Sequence, residues 1–380
     1  MILLSGPNIA GNEWKYVKDC LDTGWVSSVG SYVTQFENQV AEYAGCKYGV
    51  ATSNGTSALH IALMLAGVER GDLVITPNVT FIATVNAIRY TGADPVLVDV
   101  DAGNWQMNLD LLEEWLSSET SVNKTGQRVH SSTGRVVRAI MPVHVLGNMG
   151  DVDRLLQIAA GFGLAVVEDS TEALGSRYKG KHAGSFGVMG CFSFNGNKII
   201  TTGGGGVIVT DNEELAKKAK HLTTQAKSDA FEYIHDEIGY NYRLVNVLAA
   251  MGVAQMELLP SFIQRKKEVD LFYRQQFAGL ADIRFQEVSE HVDANCWLFT
   301  FRTAKQKDLL RVLNERKLQS RPFWVPMNQL KMFEKDIYVT KTDVSNEIYQ
   351  ECLSIPCSTN ISQEELERVA ETVKEVVGFK

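Results

Sequence analysis

Residues 191–210 read CFSFNGNKIITTGGGGVIVT, and the chain around them takes its meaning from this stretch. An apolar run over 188–194 is followed by Lys198, four consecutive glycines and a second apolar run over 206–210. Both runs are short, bounded by turn residues and rich in β-formers, so both read as strands. Lys198 therefore stands in a connection between two well-patterned strands. A lysine held among apolar groups loses its charge readily and becomes nucleophilic. The glycines leave room for a bulky planar group beside it. The competing reading is a surface lysine next to a flexible loop.

Working outward, further strands are expected over 48–52, 73–76, 95–100, 139–143 and 164–168, making seven with the two above. Helical patterns lie between them over 57–66, 83–90, 109–116 and 152–162. Strands alternating with helices predict an α/β fold with a mostly parallel seven-stranded sheet covered on both faces. Ligands of such sheets sit beyond the carboxyl ends of the strands. Two more segments fall at such ends. Gly163–Asp169 is an apolar strand closed by Glu168 and Asp169, and a carboxylate there can hold a protonated ring nitrogen or simply cap the next turn. Ser53-Asn54-Gly55-Thr56-Ser57 opens an apolar helix, which makes either an anion site on free amides or a plain N-cap.

After about residue 245 the pattern changes. A helix is expected over 244–259, ending at Pro260, then a charged helix over 265–277, a strand over 297–302 and a last helix opened by the capping box at Ser362. Residues 1–245 thus read as a large α/β domain and 246–380 as a smaller α+β domain, with the N-terminal segment packed on the latter. Residues 126–134 are polar and read as an exposed loop.

The net charge of −8 argues against non-specific nucleic-acid binding. The N-terminus has no basic, apolar leader pattern, and no run approaches the ~18 apolar residues expected of a membrane span. Six scattered cysteines without a CxxC fit a reducing cytoplasm. The run Gly175–His182 falls short of a phosphate loop because His182 stands where Ser or Thr is needed. Gly203–Gly206 leads into a strand, which excludes a dinucleotide fingerprint. The seven histidines show no metal-binding spacing, so no metal is expected.

The order of these signals, a phosphate turn near 55, an acid at 169 and a lysine at 198, resembles the fold-type-I pyridoxal-phosphate enzymes. The finer text resembles the DegT/DnrJ/EryC1/StrS nucleotide-sugar aminotransferases over nearly the whole chain. It includes Ser53–Leu59, Pro77–Thr84, His144–Gly147, Glu168–Gly175, Phe192–Lys198, Gly239–Arg243 and Arg321–Pro326. The resemblance implies that Lys198 bonds the cofactor aldehyde and later moves a proton, and that Asp169 holds the pyridine nitrogen. It implies that Phe81 stacks on the ring, that Gly55, Thr56 and Ser193 bind the phosphate, and that Asn241 reaches the phosphate of a neighbouring subunit in a homodimer. Glu172 occupies a position near the ring hydroxyl that many relatives fill with glutamine, and Asn328 replaces a common histidine. Trp25 and Arg321 are candidate substrate contacts. Dehydratases of the family carry histidine in place of the lysine, so Lys198 implies transamination. Asn195–Thr202 and Leu258–Phe262 resemble a subgroup that moves an amino group from L-glutamate to C4 of UDP- or GDP-linked 4-keto-6-deoxy sugars. Those sugars often carry a 2-acetamido group, as in routes to legionaminic acid and bacillosamine. A 3-aminotransferase acting on a 3-keto sugar, or a non-catalytic sugar-nucleotide-binding protein, is the alternative.

Overall fold

The computed structural model describes residues 1–229 and 231–378. Among them an eight-stranded sheet forms the centre. Its strands are β1 (Tyr48–Thr52), β2 (Leu73–Pro77), β3 (Asp94–Val98) and β4 (Val137–Ile140), then β5 (Ala165–Asp169), β6 (Met189–Ser193), β7 (Gly206–Thr210) and β8 (Ile337–Val339). They lie in the order β1-β7-β6-β5-β4-β2-β3-β8. Every pairing from β6 to β8 is parallel, and β7 runs antiparallel to both its neighbours.

The described residues also form helices α1 (Glu13–Thr23), α2 (Ser31–Ala44), α3 (Gly55–Leu65), α4 (Ala83–Tyr90), α5 (Leu109–Glu119), α6 (Val152–Phe162), α7 (Glu213–Thr223), α8 (Asn246–Gln276), α9 (Gln306–Glu315), α10 (Val344–Glu351) and α11 (Gln363–Val377). Alternation along the strands explains the layers. Cys191 of β6 and Ile208 of β7 join one apolar cluster with helix α3 (Gly55–Leu65), while Phe192, Val207 and Val209 point to the other face. There they meet α2 (Ser31–Ala44) and α8 (Asn246–Gln276) through Phe36, Val40, Val253 and Leu259. Each such side chain taken out of water contributes about 1.5–3 kcal/mol. A sheet clad on both faces must keep its ligand at the strand ends.

The structure corrects four expectations. The sheet has an eighth strand because three half-buried residues from the C-terminal part, Ile337–Val339, pair with β3; a strand that short leaves no readable period. Pro260 does not end a helix: α8 runs unbroken through it for 31 residues. Proline removes one backbone hydrogen bond at a cost of about 3 kcal/mol, and here Pro260 is exposed while Leu259, Phe262 and Ile263 beside it are buried in the core. An 18-residue window of α8 is also apolar enough to cross a membrane, with 56% of it buried inside the protein. Finally, part of the polar stretch 126–134 is a strand, Arg128–His130, paired with Thr120–Val122, and its His130 ring stacks on Trp115 at 5.6 Å.

The C-terminal part builds a four-stranded sheet in the order 284–285, 300–302, 352–354, 321–322. With α9 (Gln306–Glu315), α11 (Gln363–Val377) and the last turns of α8 it encloses a second core around Tyr273, Phe299, Phe301 and Leu353. Ile2 reaches across to this body, exchanging backbone hydrogen bonds with Lys317 and Gln319 at 2.9 Å each.

Candidate active site

The loop between β6 and β7 is clamped at both ends. Phe194 donates its N–H to Gly205 O (2.9 Å) and accepts from the Thr202 N–H (3.0 Å), and Gln255 of α8 accepts from the Thr201 N–H (3.1 Å). The turn Asn195–Lys198 closes through a 3.0 Å hydrogen bond from the Lys198 N–H. Lys198 is thereby held in the lining of a cavity of about 370 Å³. Lys198 is half-buried, and its amine lies over the Trp297 ring, 3.8 Å from the centroid. Burial lowers the lysine pKa from its ordinary value, and the charges of Glu172 and Asp169 oppose that shift.

Strand β5 ends in two acids on opposite faces, as the strand period requires. Glu168 turns away from the cavity and accepts from His144 Nε2 (2.9 Å) and from the N–H groups of Gly184 (2.8 Å), Phe186 (2.6 Å) and Gly187 (2.7 Å). Burial alone would raise its pKa, but these partners outweigh burial and hold it below the ordinary value. Glu168 is a structural anchor for the 184–187 turn. Asp169, 2% exposed, accepts from Thr84 Oγ1 (2.7 Å) at Oδ2 and from the Thr171 N–H (3.2 Å) at Oδ1. Thr80 Oγ1 lies 2.7 Å from Thr84 Oγ1, and because Thr84 gives its proton to the carboxylate, Thr80 is the donor of that pair. Two threonines one helical turn apart were the only sequence sign of this support.

Glu172 is 4% exposed and accepts from the Leu146 N–H at 2.7 Å. Burial pushes its pKa up to about 7; Lys198 and the Leu146 amide pull it down and Asp169 pushes it further up. Leu146 presents that amide from a left-handed backbone conformation, φ 61°.

The N-terminus of α3 also lines the cavity. Asn54 caps it by accepting from the Ser57 N–H (2.8 Å), leaving the amides at Gly55 and Thr56 for another partner. A side chain at Gly55 would place its Cβ 2.8 Å from the Ser193 Cβ and 3.2 Å from Thr171 Cγ2, so only glycine lets these three segments converge. The cavity is lined by Gly55, Thr56, Phe81, Glu172, Ser193 and Lys198, with Arg321 and Trp324 at its C-terminal wall. Phe81 is 55% exposed, a free aromatic face beside the opening. Asn328 forms a reciprocal pair with buried Asn78: its N–H donates to Asn78 Oδ1 (2.9 Å) and its Oδ1 accepts from Asn78 Nδ2 (2.9 Å). That pair ties the 327–329 turn to the loop carrying Phe81.

Two expected residues lie elsewhere within the chain. Asn241 is exposed and its backbone bridges Thr224, outside the cavity. Trp25, 57% exposed, lines a different cleft with Lys220 and Arg243. The sequence alone does not point to Trp297, Trp324, Thr80 or Thr84; Trp297 comes from a segment 99 residues beyond Lys198, and nothing local announces the contact. The fold also gathers His221, Asp236 and Glu237, whose ligand atoms lie within 4.8 Å of one another; the group is at the surface and Lys218 is already paired with Glu237.

The arrangement matches one cofactor chemistry. An amine that sheds its proton readily bonds an aldehyde, an anion site at a helix N-terminus takes a phosphate, and a buried, hydrogen-bonded carboxylate keeps a ring nitrogen protonated. The missing side chain at Gly55 lets Ser193 close on the helix start, which sets its hydroxyl beside the free amides of Gly55 and Thr56. Fold and site together define a fold-type-I pyridoxal-phosphate enzyme.

The chain belongs to the DegT/DnrJ/EryC1/StrS aminotransferase family, whose model matches residues 7–374. It is 37% identical to the GDP-perosamine synthase of Escherichia coli O157:H7, over 98% of each chain. It is 34% identical to EpsN of Bacillus subtilis, a putative pyridoxal-phosphate-dependent aminotransferase, over 98% of this chain and 95% of that one. Among solved structures it superposes on the putative sugar aminotransferase Spr1654 of Streptococcus pneumoniae in its PMP form with a TM-score of 0.88, at 27% identity and 99% coverage of both chains. The protein is therefore a pyridoxal-phosphate-dependent aminotransferase of the nucleotide-sugar type.

Proposed function

We propose that this enzyme moves an amino group from L-glutamate to C4 of a GDP-linked 4-keto-6-deoxy sugar. The observation that carries the proposal is the full-length likeness to a relative named for GDP-perosamine, the nucleotide of a 4-amino-4,6-dideoxy sugar. The 2-acetamido sugar expected from sequence, with the nucleotide left open between UDP and GDP, is represented in the second arm of the test by its UDP-linked form.

Bound pyridoxal phosphate supplies an aldehyde that bonds amines and a ring that draws electrons from the adjacent carbon. In this reading Lys198 holds the cofactor and, once displaced by the incoming amine, moves the proton between the substrate carbon and the cofactor. Its enclosure favours the neutral amine that this task needs. Asp169 keeps the proton on the ring nitrogen, with Thr84 fixing the carboxylate. The amides of Gly55 and Thr56 and the Ser193 hydroxyl hold the phosphate, and Phe81 covers the ring. Glu172, when protonated, donates toward the ring hydroxyl. Arg321 and Trp324 face the sugar nucleotide. Asn241, outside its own cavity, serves the phosphate site of a partner subunit, which makes the enzyme a homodimer.

The test is incubation of cofactor-loaded protein with glutamate and a panel of GDP- and UDP-linked 4-keto and 3-keto sugars, with products identified by mass and NMR. A 4-amino sugar on GDP is expected. Amination only of a UDP-linked 2-acetamido sugar moves the assignment to that arm, and amination at C3, or of no member of the panel, refutes the proposal.

A further inference from the structure

We infer that Trp297 is a positioning residue: its indole face is the resting place of the Lys198 ammonium when the lysine is not bonded to the cofactor. This rests on the reading of Lys198 given above.

Transfer in two halves leaves Lys198 free whenever the amino group rides on the cofactor. A free ammonium inside the cavity needs a partner that holds it without removing it from the reaction. The charges of two carboxylates, Glu172 and Asp169, act on it. Asp169 is already engaged by Thr84 and Thr171, and Glu172 by Leu146. No side-chain hydrogen bond to the lysine amine occurs among the described residues. What the amine does meet is the Trp297 ring, 3.8 Å from its centroid, well inside the range in which a ring face attracts a cation.

The ring is built to stay there. Trp297 is 3% exposed, and its Nε1–H donates to the Asn197 carbonyl (2.8 Å), on the residue next to the lysine. Its own N–H donates to Asn295 Oδ1 (3.0 Å), and Asn295 is anchored in turn on the carbonyls of Glu172 (2.8 Å) and Leu174 (2.9 Å). One buried asparagine thus ties the indole to the turn that carries Glu172. A π-face attracts the charged lysine but cannot accept its proton, so it steadies the amine while leaving proton transfer to the substrate carbon open. It also offsets part of the burial that disfavours the ammonium.

Trp297→Phe and Trp297→Leu, in the cofactor-loaded dimer, distinguish this from simple packing. The half-reaction of the aminated enzyme with keto sugar is followed by cofactor absorbance across pH. Loss of the ring face lowers the pH at which the free lysine titrates, so the profile of Trp297→Leu moves to lower pH by roughly one unit, with Trp297→Phe between it and wild type. Fluorinated tryptophan, which keeps the shape while weakening the face, gives the same graded downward shift should Trp297→Leu fail to fold. Unmoved profiles overturn the inference, and so does an equal shift in the Phe and Leu variants. Borohydride reduction of the wild-type enzyme, followed by mapping of the modified lysine, tests the Lys198 reading separately, whatever the Trp297 variants do.

Discussion

Glu172→Gln exchanges a buried carboxyl for an amide of nearly the same shape. Burial drives the carboxyl from its ordinary value of 4.5 to about 7 in the fold, Lys198 and the Leu146 amide opposing and Asp169 assisting. In the unfolded chain the group titrates near its ordinary value. Between about pH 4.5 and pH 7 the folded protein therefore keeps a proton that the unfolded chain has released, and stability falls as pH rises through that window. At about 1.4 kcal/mol per pH unit, the wild type loses about 3 kcal/mol across it relative to a variant whose amide does not titrate. The assay is chemical denaturation of the cofactor-free protein, wild type and variant, at steps from about pH 4.5 to about pH 8.5. Any pH-independent difference between carboxyl and amide cancels when the gap at one pH is subtracted from the gap at another. The gap should grow in favour of the variant by about 3 kcal/mol, mostly below neutrality, and flatten above it. Parallel curves with a constant offset would show that Glu172 titrates in the fold as it does in the unfolded chain and is ionised at neutral pH, which would refute its part as a protonated donor to the ring hydroxyl.

Four further outcomes are expected. Asp169→Asn should lower turnover by roughly two orders of magnitude, because an amide cannot hold the proton on the ring nitrogen; near-normal turnover would remove Asp169 from the mechanism. Lys198→Ala should leave no cofactor on the protein after borohydride reduction, and an adduct recovered from that variant would point to another amine. Gly55→Ala drives a methyl into Ser193 and Thr171, so cofactor affinity measured by fluorescence titration should fall about tenfold or more; wild-type affinity would place the phosphate elsewhere. Pro260→Ala restores an N–H inside α8 and should stabilise the protein by up to about 3 kcal/mol in denaturant titration; a loss of stability would mean the ring packs usefully at that exposed turn.

Much of this protein is written locally. Strands alternating with helices, an acid at a strand end, a lysine beside four glycines and a capped anion turn are all short-range patterns, and each element of the large sheet up to residue 210 can be read from a dozen residues around it. The lysine, the acid and the phosphate turn converge because all three sit at strand ends on one side of a covered sheet, which the alternation alone implies. Other features depend on partners far along the chain. Helix α8 crosses Pro260 because packing on both flanks exceeds the local penalty, a balance invisible in the helix itself. The edge strand Ile337–Val339 exists only where β3 offers it a row of hydrogen-bonding groups. The aromatic face beneath Lys198 and the raised pKa of Glu172 arise from burial among segments more than 20 residues apart, since desolvation and ring contacts are properties of an enclosed space and not of a stretch of sequence.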